Sequence, residues 1–488
     1  MLKENLRDLF AYIPDEPMLF NSGLFLVFFT IFITFYYLFA YKNTTIRLIY
    51  VVIFSFFFYY KASGWYLVIL LFSIVLDYWV ACWLDYSQNP IFRKTLLIIS
   101  IWANVSLLMY FKYTNFFLSN WYALHGKPFE AWDIFLPIGI SFYTFQTISY
   151  VVDVYNKVIP ACRNLIDYTF YMSFFPHLVA GPIVRAKDFL HQIRKEIRFE
   201  THEIHEGLYL ILKGLFKKAV IADYMAQYAD LVFANPQGYS GFENLMAMYA
   251  YTLQIYCDFS GYSDMAIGIA LLMGYRLLEN FRSPYQSLNI TEFWRRWHIS
   301  LSTWLRDYIY IPLGGNRKGK TKQYLFLLIT MLIGGFWHGA SWKFIFWGLM
   351  HGLALVVHKW VSGQTWAKYI TQTPLLLISG LLTFHYVAFL WIFFRANDFT
   401  TAFIMIKQIF VAMEWGYFLP FLQVRSLLVV LMLVGFGATL LPEKEKKLLY
   451  DFFCQSPTYW KIAFFLVIIQ LVLQLKTESV QPFIYFQF

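Results

Sequence analysis

The sequence predicts an all-α protein that crosses a membrane many times, and its composition leads to that fold class. Of its 488 residues, 59% are hydrophobic and only 14% are charged, whereas soluble domains are about 45–50% apolar and about 25% charged. Aromatic residues make up 22% of the chain, which excludes a disordered polypeptide. So few charges cannot cover so much apolar surface in water, which argues strongly against a soluble enzyme.

Apolar stretches suited to helical spans occur along the whole chain, since a helix needs about 20 apolar residues to cross a bilayer. They lie near residues 20–41, 46–60, 65–84, 95–111, 134–155, 342–361, 374–394, 425–441 and 460–475. Shorter or more polar stretches lie near 166–182, 207–222, 245–275 and 324–337. We interpret these as re-entrant or protein-buried helices that line a cavity. The sequence thus predicts a single polytopic membrane domain over residues 1–488, with about ten to twelve spans.

The net charge of +10 indicates membrane topology, because Lys and Arg gather in cytoplasmic loops. Basic residues cluster in segments 185–200, 276–322 and 442–447, which are therefore predicted to be cytoplasmic, with both termini outside. No basic stretch forms a domain of its own, so no nucleic acid partner is expected. Four scattered cysteines, none in a C-x-x-C pair, predict neither a disulfide framework nor a metal site.

A histidine among glycines is the first candidate for chemistry. It lies in the segment Gly334-Gly335-Phe336-Trp337-His338-Gly339, inside an apolar stretch where an ionisable group is costly unless it faces a cavity or a partner. Glycine interrupts a helix, and a broken helix in a membrane belongs beside a cavity. A neutral imidazole there can take a proton from a hydroxyl. We predict His338 as a general base and Trp337 as a lining residue; a buried core histidine is the alternative.

His298 is the second candidate, in the run EFWRRWHISLSTWLRDYIY at 292–310. At helical spacing it shares a face with Trp294 and Ser302, so all three would point inward and Ser302 would line the same cavity. The tryptophans of the run also suit an amphipathic helix at the membrane interface. In that interpretation His298 is an ordinary polar residue.

Other polar residues are weaker candidates. Asp258 and Asp264 lie in the segment YCDFSGYSDMA between apolar runs. They either line a cavity or form hydrogen bonds in a re-entrant turn. His351 and His358 are seven residues apart and share a helix face, which is typical of packing or of an interfacial position.

Several motifs in combination resemble the membrane-bound O-acyltransferase family. They are Leu136-Pro137-Ile138-Gly139-Ile140-Ser141-Phe142-Tyr143, Phe175-Pro176 with Gly181-Pro182, Tyr256 to Asp264, Arg295-Arg296-Trp297-His298, Tyr310-Ile311-Pro312-Leu313-Gly314-Gly315 and Trp337-His338-Gly339. The resemblance covers at least residues 100–360, the expected core, and leaves C-terminal helices and an outer aromatic tail at 361–488. Within the family, the chain is most similar to the membrane subunit of alginate O-acetylation and to related proteins that acetylate exported polysaccharides.

The resemblance implies a ring of about 10–12 transmembrane helices, with re-entrant and interfacial helices, around a catalytic tunnel through the membrane. It implies that His338 is the main catalytic residue and His298 its polar partner. His298 would polarise the acyl carbonyl, orient the thioester or share the proton transfer. The implied reaction moves acetyl from cytoplasmic acetyl-CoA, a substrate and not a bound cofactor, for O-acetylation of an exported, alginate-like polysaccharide.

The resemblance also implies partners and a location. A secreted or membrane-anchored acetyltransferase on the outer face would complete the transfer, and the location would be a bacterial inner membrane. Four cations are placed to meet the donor's phosphates from the cytoplasm, although plain topology charge explains them as well. These are Arg295, Arg296, Lys318 and Lys320.

The C-terminal segment Phe483-Ile484-Tyr485-Phe486-Gln487-Phe488 has the spacing F-x-Y-x-x-F. It is similar to the terminal motif of the small partner peptide in teichoic acid D-alanylation, whose tyrosine is implicated as an acyl relay. Tyr485 is therefore a candidate relay, and an aromatic anchor at the membrane interface is the alternative.

Two other functions are kept as alternatives. One is D-alanyl transfer to teichoic acid from a carrier protein. The other is a transporter or channel for a small acyl group or ion, which inverted repeats and paired broken helices would mark. The sequence contains no internal repeat of that kind.

Overall fold

The computed structural model describes residues 9–14, 17–179, 181–366 and 373–475, and within these ranges all regular secondary structure is helical. The prediction of an all-α protein is confirmed. The chain divides into two compact units, the first formed by 1–208 with 265–278 and the second by 209–264 with 279–488. The single membrane domain expected over the whole chain stays a prediction.

The helices of the first unit are α1 (Gly23–Phe35), α2 (Thr44–Ser63), α3 (Leu67–Tyr86), α4 (Pro90–Leu108), α5 (Thr114–Leu124), α6 (Ile140–Tyr155), α7 (Leu165–Ser173), α8 (Phe175–Leu178) and α9 (Ala186–Ile193). Buried polar side chains connect α3 to α4. The Asp77 carboxylate accepts hydrogen bonds from Ser100 Oγ at 2.5 Å and from Asn104 Nδ2 at 2.8 Å. Interhelical hydrogen bonds of this kind help to hold helices together where lipid provides no hydrophobic driving force.

Two helices, α10 (Thr201–Leu215) and α12 (Gly241–Leu272), contribute residues to both units. The other helices of the second unit are α11 (Asp223–Ala234), α13 (Ile290–Arg296), α14 (Ile299–Leu305), α15 (Ile311–Leu313), α16 (Lys320–His338), α17 (Trp342–Ser362), α18 (Thr373–Arg395), α19 (Phe399–Val411), α20 (Phe418–Val424), α21 (Ser426–Leu440), α22 (Glu443–Gln455) and α23 (Thr458–Leu475). A π-helical segment, Phe216–Ala222, joins α10 to α11.

Six helical segments in the described part of the chain are long and apolar enough to cross a membrane. They are Gly23–Ala40, Thr44–Tyr86, Pro90–Leu124, Trp342–Ser362, Pro374–Arg395 and Thr458–Leu475. Two bent helix pairs, α19 with the Trp415–Val424 segment and α21 with α22, raise the number to eight if each pair is one span. A multi-pass membrane protein is therefore confirmed.

The predicted number of ten to twelve spans stays a prediction, but one segment is long enough for two crossings. Thr44–Tyr86 contains 43 residues, whereas about 20 are enough to cross a bilayer. It divides into α2 and α3, of 20 residues each, at Gly64, whose φ of 60° is a backbone conformation that favours glycine.

The polar segment around Asp258 and Asp264 is helical throughout, because α12 runs without a break over 241–272. Of the alternatives given for this segment, the re-entrant turn is therefore wrong, and the protein-buried helix is observed. Both carboxylates are instead paired with lysines of the π-helical segment: Lys218 binds Asp258, and Lys217 lies 2.7 Å from Asp264. Buried charges need partners of opposite sign, and these ion pairs satisfy that requirement without a turn.

Glycines allow α16 and α17 to approach closely as an antiparallel hairpin. A Cβ atom added to Gly335 would lie 3.0 Å from the Cα of Gly348 and closer still to the carbonyl oxygen of Phe344. The helix break predicted at Gly334 and Gly335 is therefore wrong. Both glycines lie inside α16, where small residues let two helix backbones approach closely. The helix ends only at His338, after which Gly339 is extended.

We expect Gly335→Ala to destabilise this hairpin by about 1–3 kcal/mol, because the added methyl group meets backbone atoms and not a flexible side chain. The matched control is Gly437→Ala in α21, where an added Cβ has no heavy atom within 4 Å. Thermal unfolding of the two purified variants in detergent measures the difference. Equal midpoints would show that the close approach of α16 and α17 is not required for stability.

The basic segments 276–322 and 442–447 are in direct contact within the second unit. The Ser283 hydroxyl donates to Oε1 of Glu443 at 3.2 Å, and the ammonium of Lys446 donates to the same hydroxyl. Segments in contact lie on the same side of a membrane, which agrees with the assignment of 276–322 and 442–447 to one face. That this face is cytoplasmic stays a prediction.

Candidate active site

His298 lies in the interior of the second unit, at a break between two short helices. Helix α13 ends at Arg296, α14 begins at Ile299, and His298 between them has a left-handed conformation with φ 43° and ψ 56°. The continuous helical face predicted for 292–310 is therefore wrong. The interfacial interpretation is wrong as well, because the three tryptophans of the run are buried and His298 is 0% exposed.

Asn280 holds this break in place through its main chain and its side chain. Its carbonyl oxygen accepts a hydrogen bond from the Ile299 N–H at 2.9 Å. Its Oδ1 atom accepts from the N–H of Ser300 at 3.1 Å and from the Ser300 hydroxyl at 2.9 Å. The same Oδ1 atom lies 3.2 Å from Nδ1 of His298. A non-glycine residue with positive φ is strained and persists only where its surroundings determine it, as Asn280 does here.

These contacts determine which nitrogen of His298 carries the hydrogen. A backbone N–H can only donate, so the atom that meets the Ser300 N–H is the amide oxygen of Asn280. Nδ1 of His298 must therefore donate to that oxygen, and Nε2 is the unprotonated nitrogen.

The protonation state of His298 follows from its burial. His298 lies outside the candidate spans, and burial lowers the pKa of its imidazole to about 3. The ring is therefore neutral at physiological pH. At Nε2 it can accept a proton or a hydrogen bond, but it cannot donate one.

His338 is the last residue of α16 and is only 2% exposed. Three aromatic rings surround it edge-on, with centroids 5.1 Å away for Trp337, 5.1 Å for Trp347 and 5.3 Å for Phe394. The imidazole thus lies in an apolar environment where electrostatic interactions are stronger than in water. Such a site suits a general base, because a base removes the substrate's proton most effectively where water does not compete for that proton.

Trp337 contacts both histidines. The centroid of its indole is 6.2 Å from that of the His298 ring and 5.1 Å from that of His338. The two imidazoles can therefore be no farther apart than the sum of these distances. The residues selected from sequence as the catalytic pair meet in one buried aromatic cluster, although their roles stay predictions.

The sequence analysis missed His351 as part of this cluster. Its ring lies 4.5 Å from that of Trp347, which also contacts His338. His351 is 0% exposed, and neither of its nitrogens has a hydrogen-bond partner in the part of the chain that the structure describes. The spacing between His351 and His358 did not indicate this contact. The position of His351 one helical turn after Trp347 is the sequence feature that indicates it.

The other predicted lining residues are engaged in contacts with neighbouring protein groups. Ser302 donates its hydroxyl to the carbonyl oxygen of Trp297 at 3.2 Å. Asp258 and Asp264 are engaged in their lysine pairs, and the residue that α12 contributes beside His298 is Phe259, at a ring distance of 4.6 Å. Their contribution to a tunnel stays a prediction.

The four predicted donor-binding cations belong to two separate elements. Arg295 and Arg296 are on α13, where Arg296 forms an ion pair with Glu292 at 2.6 Å. Lys318 and Lys320 are exposed at the start of α16. Tyr485, the candidate relay, lies outside the described residues.

Comparison with known proteins connects this geometry to a family. Residues 157–373, which contain both histidines, match the membrane-bound O-acyltransferase family. The chain is 41% identical to a peptidoglycan O-acetyltransferase of Helicobacter pylori, over 80% of the chain and 79% of that protein. It is 37% identical to a probable alginate O-acetylase of Pseudomonas putida, over 96% of the chain and 100% of the relative.

A third relative is more distant. A teichoic acid D-alanyltransferase of Bacillus subtilis is 29% identical over 54% of the chain and 69% of that protein. The two O-acetyltransferases match over far more of the chain, at higher identity, and through the segment that holds His298, Trp337 and His338. The protein is therefore an acyltransferase, and the chain belongs to the membrane-bound O-acyltransferase family.

Proposed function

We propose that this acyltransferase moves acetyl from cytoplasmic acetyl-CoA across a bacterial inner membrane for O-acetylation of an exported polysaccharide. The observation that carries the proposal is the pair of buried histidines that both contact Trp337, inside the segment that matches the family. Relatives named for alginate and for peptidoglycan support an acceptor outside the cytoplasm. The lower identity and coverage of the D-alanyl transferase make D-alanyl transfer the weaker proposal.

In the proposed step His338 acts as the general base. Its imidazole removes the proton from the acceptor hydroxyl as that oxygen attacks the acetyl carbonyl carbon of the thioester. The tetrahedral intermediate collapses, the carbon–sulfur bond breaks, and the departing thiolate receives the proton from the imidazolium. The products are an acetyl ester and free coenzyme A. The apolar surroundings of His338 support this role, because they keep competing water from the thioester.

The position of the hydrogen on the His298 ring excludes one of the roles predicted for this residue. Polarising the acetyl carbonyl requires an N–H donor directed at the carbonyl oxygen. In the observed arrangement the hydrogen of His298 is on Nδ1 and is donated to Asn280. We therefore assign His298 a share in the proton transfer as a hydrogen-bond acceptor at Nε2, because its low pKa disfavours full protonation of the ring, and assign Asn280 the role of a positioning residue.

Lys318 and Lys320 are the cations we retain for the phosphates of the donor. Both are exposed, and among the described residues neither forms an ion pair. Arg296 is less suited because its guanidinium already binds Glu292, and Arg295 is less suited because it lies beside His358, which lines a mostly apolar groove. A separate acetyltransferase on the outer face is proposed to complete the transfer to the polysaccharide.

The proposal is tested with the full chain in sealed proteoliposomes. Acetyl-CoA carrying a radioactive acetyl group is added to the side exposing segment 276–322, and a soluble oligosaccharide of alginate or peptidoglycan is enclosed with an outer-face acetyltransferase. Labelled ester on the enclosed sugar supports the proposal. Transfer from a D-alanyl carrier protein, with no transfer from acetyl-CoA, would replace it with the alternative.

The relay hypothesis for Tyr485 is tested by removal of one oxygen atom. If Tyr485 carries the acetyl group, Tyr485→Phe should abolish acetylation of the enclosed sugar, and mass spectrometry of the wild-type chain should find an acetylated C-terminal peptide. If Tyr485 is an aromatic anchor, Tyr485→Phe should be nearly silent and Tyr485→Ala harmful. Full acetylation by the Phe variant would reject the relay.

A further inference from the structure

A groove of about 640 Å³ lies between α17 and α18 in the second unit. Apolar side chains form most of its wall, including Leu353, Val357, Val361, Leu376, Leu382 and Tyr386. Its hydroxyl groups are already used by the protein. Ser379 donates to the carbonyl oxygen of Leu288 at 2.5 Å, and Tyr386 donates to that of Met350 at 2.7 Å. The wall therefore favours an apolar occupant.

The surroundings of the groove indicate where that occupant comes from. Both helices that form it, α17 and α18, lie in segments apolar enough to span a membrane. The residues at its edges are directed outward, with Val357 57% and Leu382 66% exposed. A groove that opens between two such spans faces the acyl chains of the bilayer.

One end of the groove carries positive charge. Arg295 and Lys359 both act electrostatically on His358, which lines the groove. Both cations are exposed, and within the described residues neither has an ion-pair partner. His358 itself is turned inward, with Nδ1 2.8 Å from the hydroxyl of Thr291. The cations are therefore available to an anion outside the protein.

The dimensions suit a lipid chain that begins at this charged end. From Val361 to Leu353 the wall extends about 12 Å, and from Leu376 to Tyr386 about 15 Å, at 1.5 Å per helical residue. Lys359 is near the Val361 end, so a head group there places its acyl chain along the groove towards Leu353 and Tyr386.

We propose that this groove binds a phospholipid with an anionic head group, whose phosphate is held by Arg295 and Lys359 and whose acyl chain lies between α17 and α18. Basic residues beside transmembrane helices recognise such head groups through charge. A coenzyme A donor shares the phosphate chemistry, but its arm contains amides that need polar partners. The groove offers few, because Ser379 and Tyr386 are already engaged. The lipid site is independent of the proposed acetyl transfer.

Native mass spectrometry of the full chain in detergent, with equal amounts of phosphatidylglycerol and phosphatidylethanolamine, tests this site. We expect wild-type protein to retain phosphatidylglycerol preferentially. Arg295→Gln with Lys359→Gln should weaken its binding by about twenty-five-fold, since each cation near a membrane surface contributes about a factor of five. The matched control is Lys444→Gln with Lys447→Gln, which removes two exposed lysines of α22 and should change nothing.

A second variant tests the apolar part of the site. Ala354→Phe fills the groove and should reduce retention of lipid while Arg295 and Lys359 remain. Equal retention of the two lipids by wild-type protein, or an unchanged preference in the Arg295/Lys359 variant, would overturn the proposal. Displacement of the lipid by coenzyme A would assign the groove to the donor instead. A lipid-free dimer in the same spectra would assign it to a second copy of the chain.

Discussion

His338→Ala should reduce acetyl transfer by about 10²–10⁴-fold, the usual effect of losing a general base. The expectation follows from the position of the imidazole, which is buried at the end of α16 among Trp337, Trp347 and Phe394. His338→Gln should be equally inactive, because an amide of similar size preserves the packing but is not a base. The measurement is acetyl transfer from labelled acetyl-CoA in proteoliposomes, normalised to correctly folded protein.

The control for this experiment is His125→Ala, which removes an exposed histidine of the first unit that is not one of the candidate site residues. It should leave transfer unchanged. Near wild-type transfer by either His338 variant, at equal expression and with an unchanged unfolding midpoint, would contradict the assignment of His338. Loss of folding in His338→Ala alone would leave His338→Gln as the decisive variant.

Helix positions could be predicted from the sequence because a long apolar stretch that crosses a membrane forms a helix, in which its backbone hydrogen bonds are satisfied internally. The predicted spans at 342–361 and 374–394 agree closely with α17 and α18. Of the two interpretations of 245–275, the protein-buried helix is observed and a re-entrant turn at Asp258 and Asp264 is not. Lysines distant in sequence pair with both carboxylates. Ion pairs between separate elements leave no periodic signal in either element.

The glycines before His338 illustrate a related limit. Glycine is a helix breaker in water, and this predicted a break at Gly334 and Gly335. In a membrane the same absence of a side chain favours close helix packing. The choice between these effects depends on whether a second glycine faces the first. Gly348 does so here, and only the folded chain shows it.

Sequence analysis selected the two histidines of the candidate site, but it did not predict the geometry around them. Helical periodicity placed His298 on a face with Ser302, whereas the backbone turns left-handed at His298 itself. That turn depends on hydrogen bonds from Ile299 and Ser300 to Asn280, a residue in a segment without helical or strand periodicity. No local pattern indicated that an asparagine would orient the histidine.

The same arrangement leads to the second large effect. His298→Ala should lower acetyl transfer by about 10²–10⁴-fold if the imidazole shares the proton transfer. His298→Gly removes the same ring and also relieves the positive φ of 43°, which glycine adopts readily. The two variants should therefore be equally inactive, although the Gly variant should be the more stable. Recovery of activity in the Gly variant would instead make the backbone turn, and not the imidazole, the important feature.

Asn280 provides the sharpest test, because it is proposed to act only through His298. Asn280→Ala removes the oxygen that holds Nδ1 and should lower transfer by about 10–100-fold, the usual effect of losing a residue that orients a functional histidine. In a chain that already carries His298→Ala, Asn280→Ala should cost almost nothing further, since the ring it orients is absent. Residues that act as one unit show this non-additivity, whereas independent losses multiply. An effect of Asn280→Ala that is equally large in both backgrounds would show that Asn280 supports the fold of the 280–300 segment and does not position His298 for proton transfer.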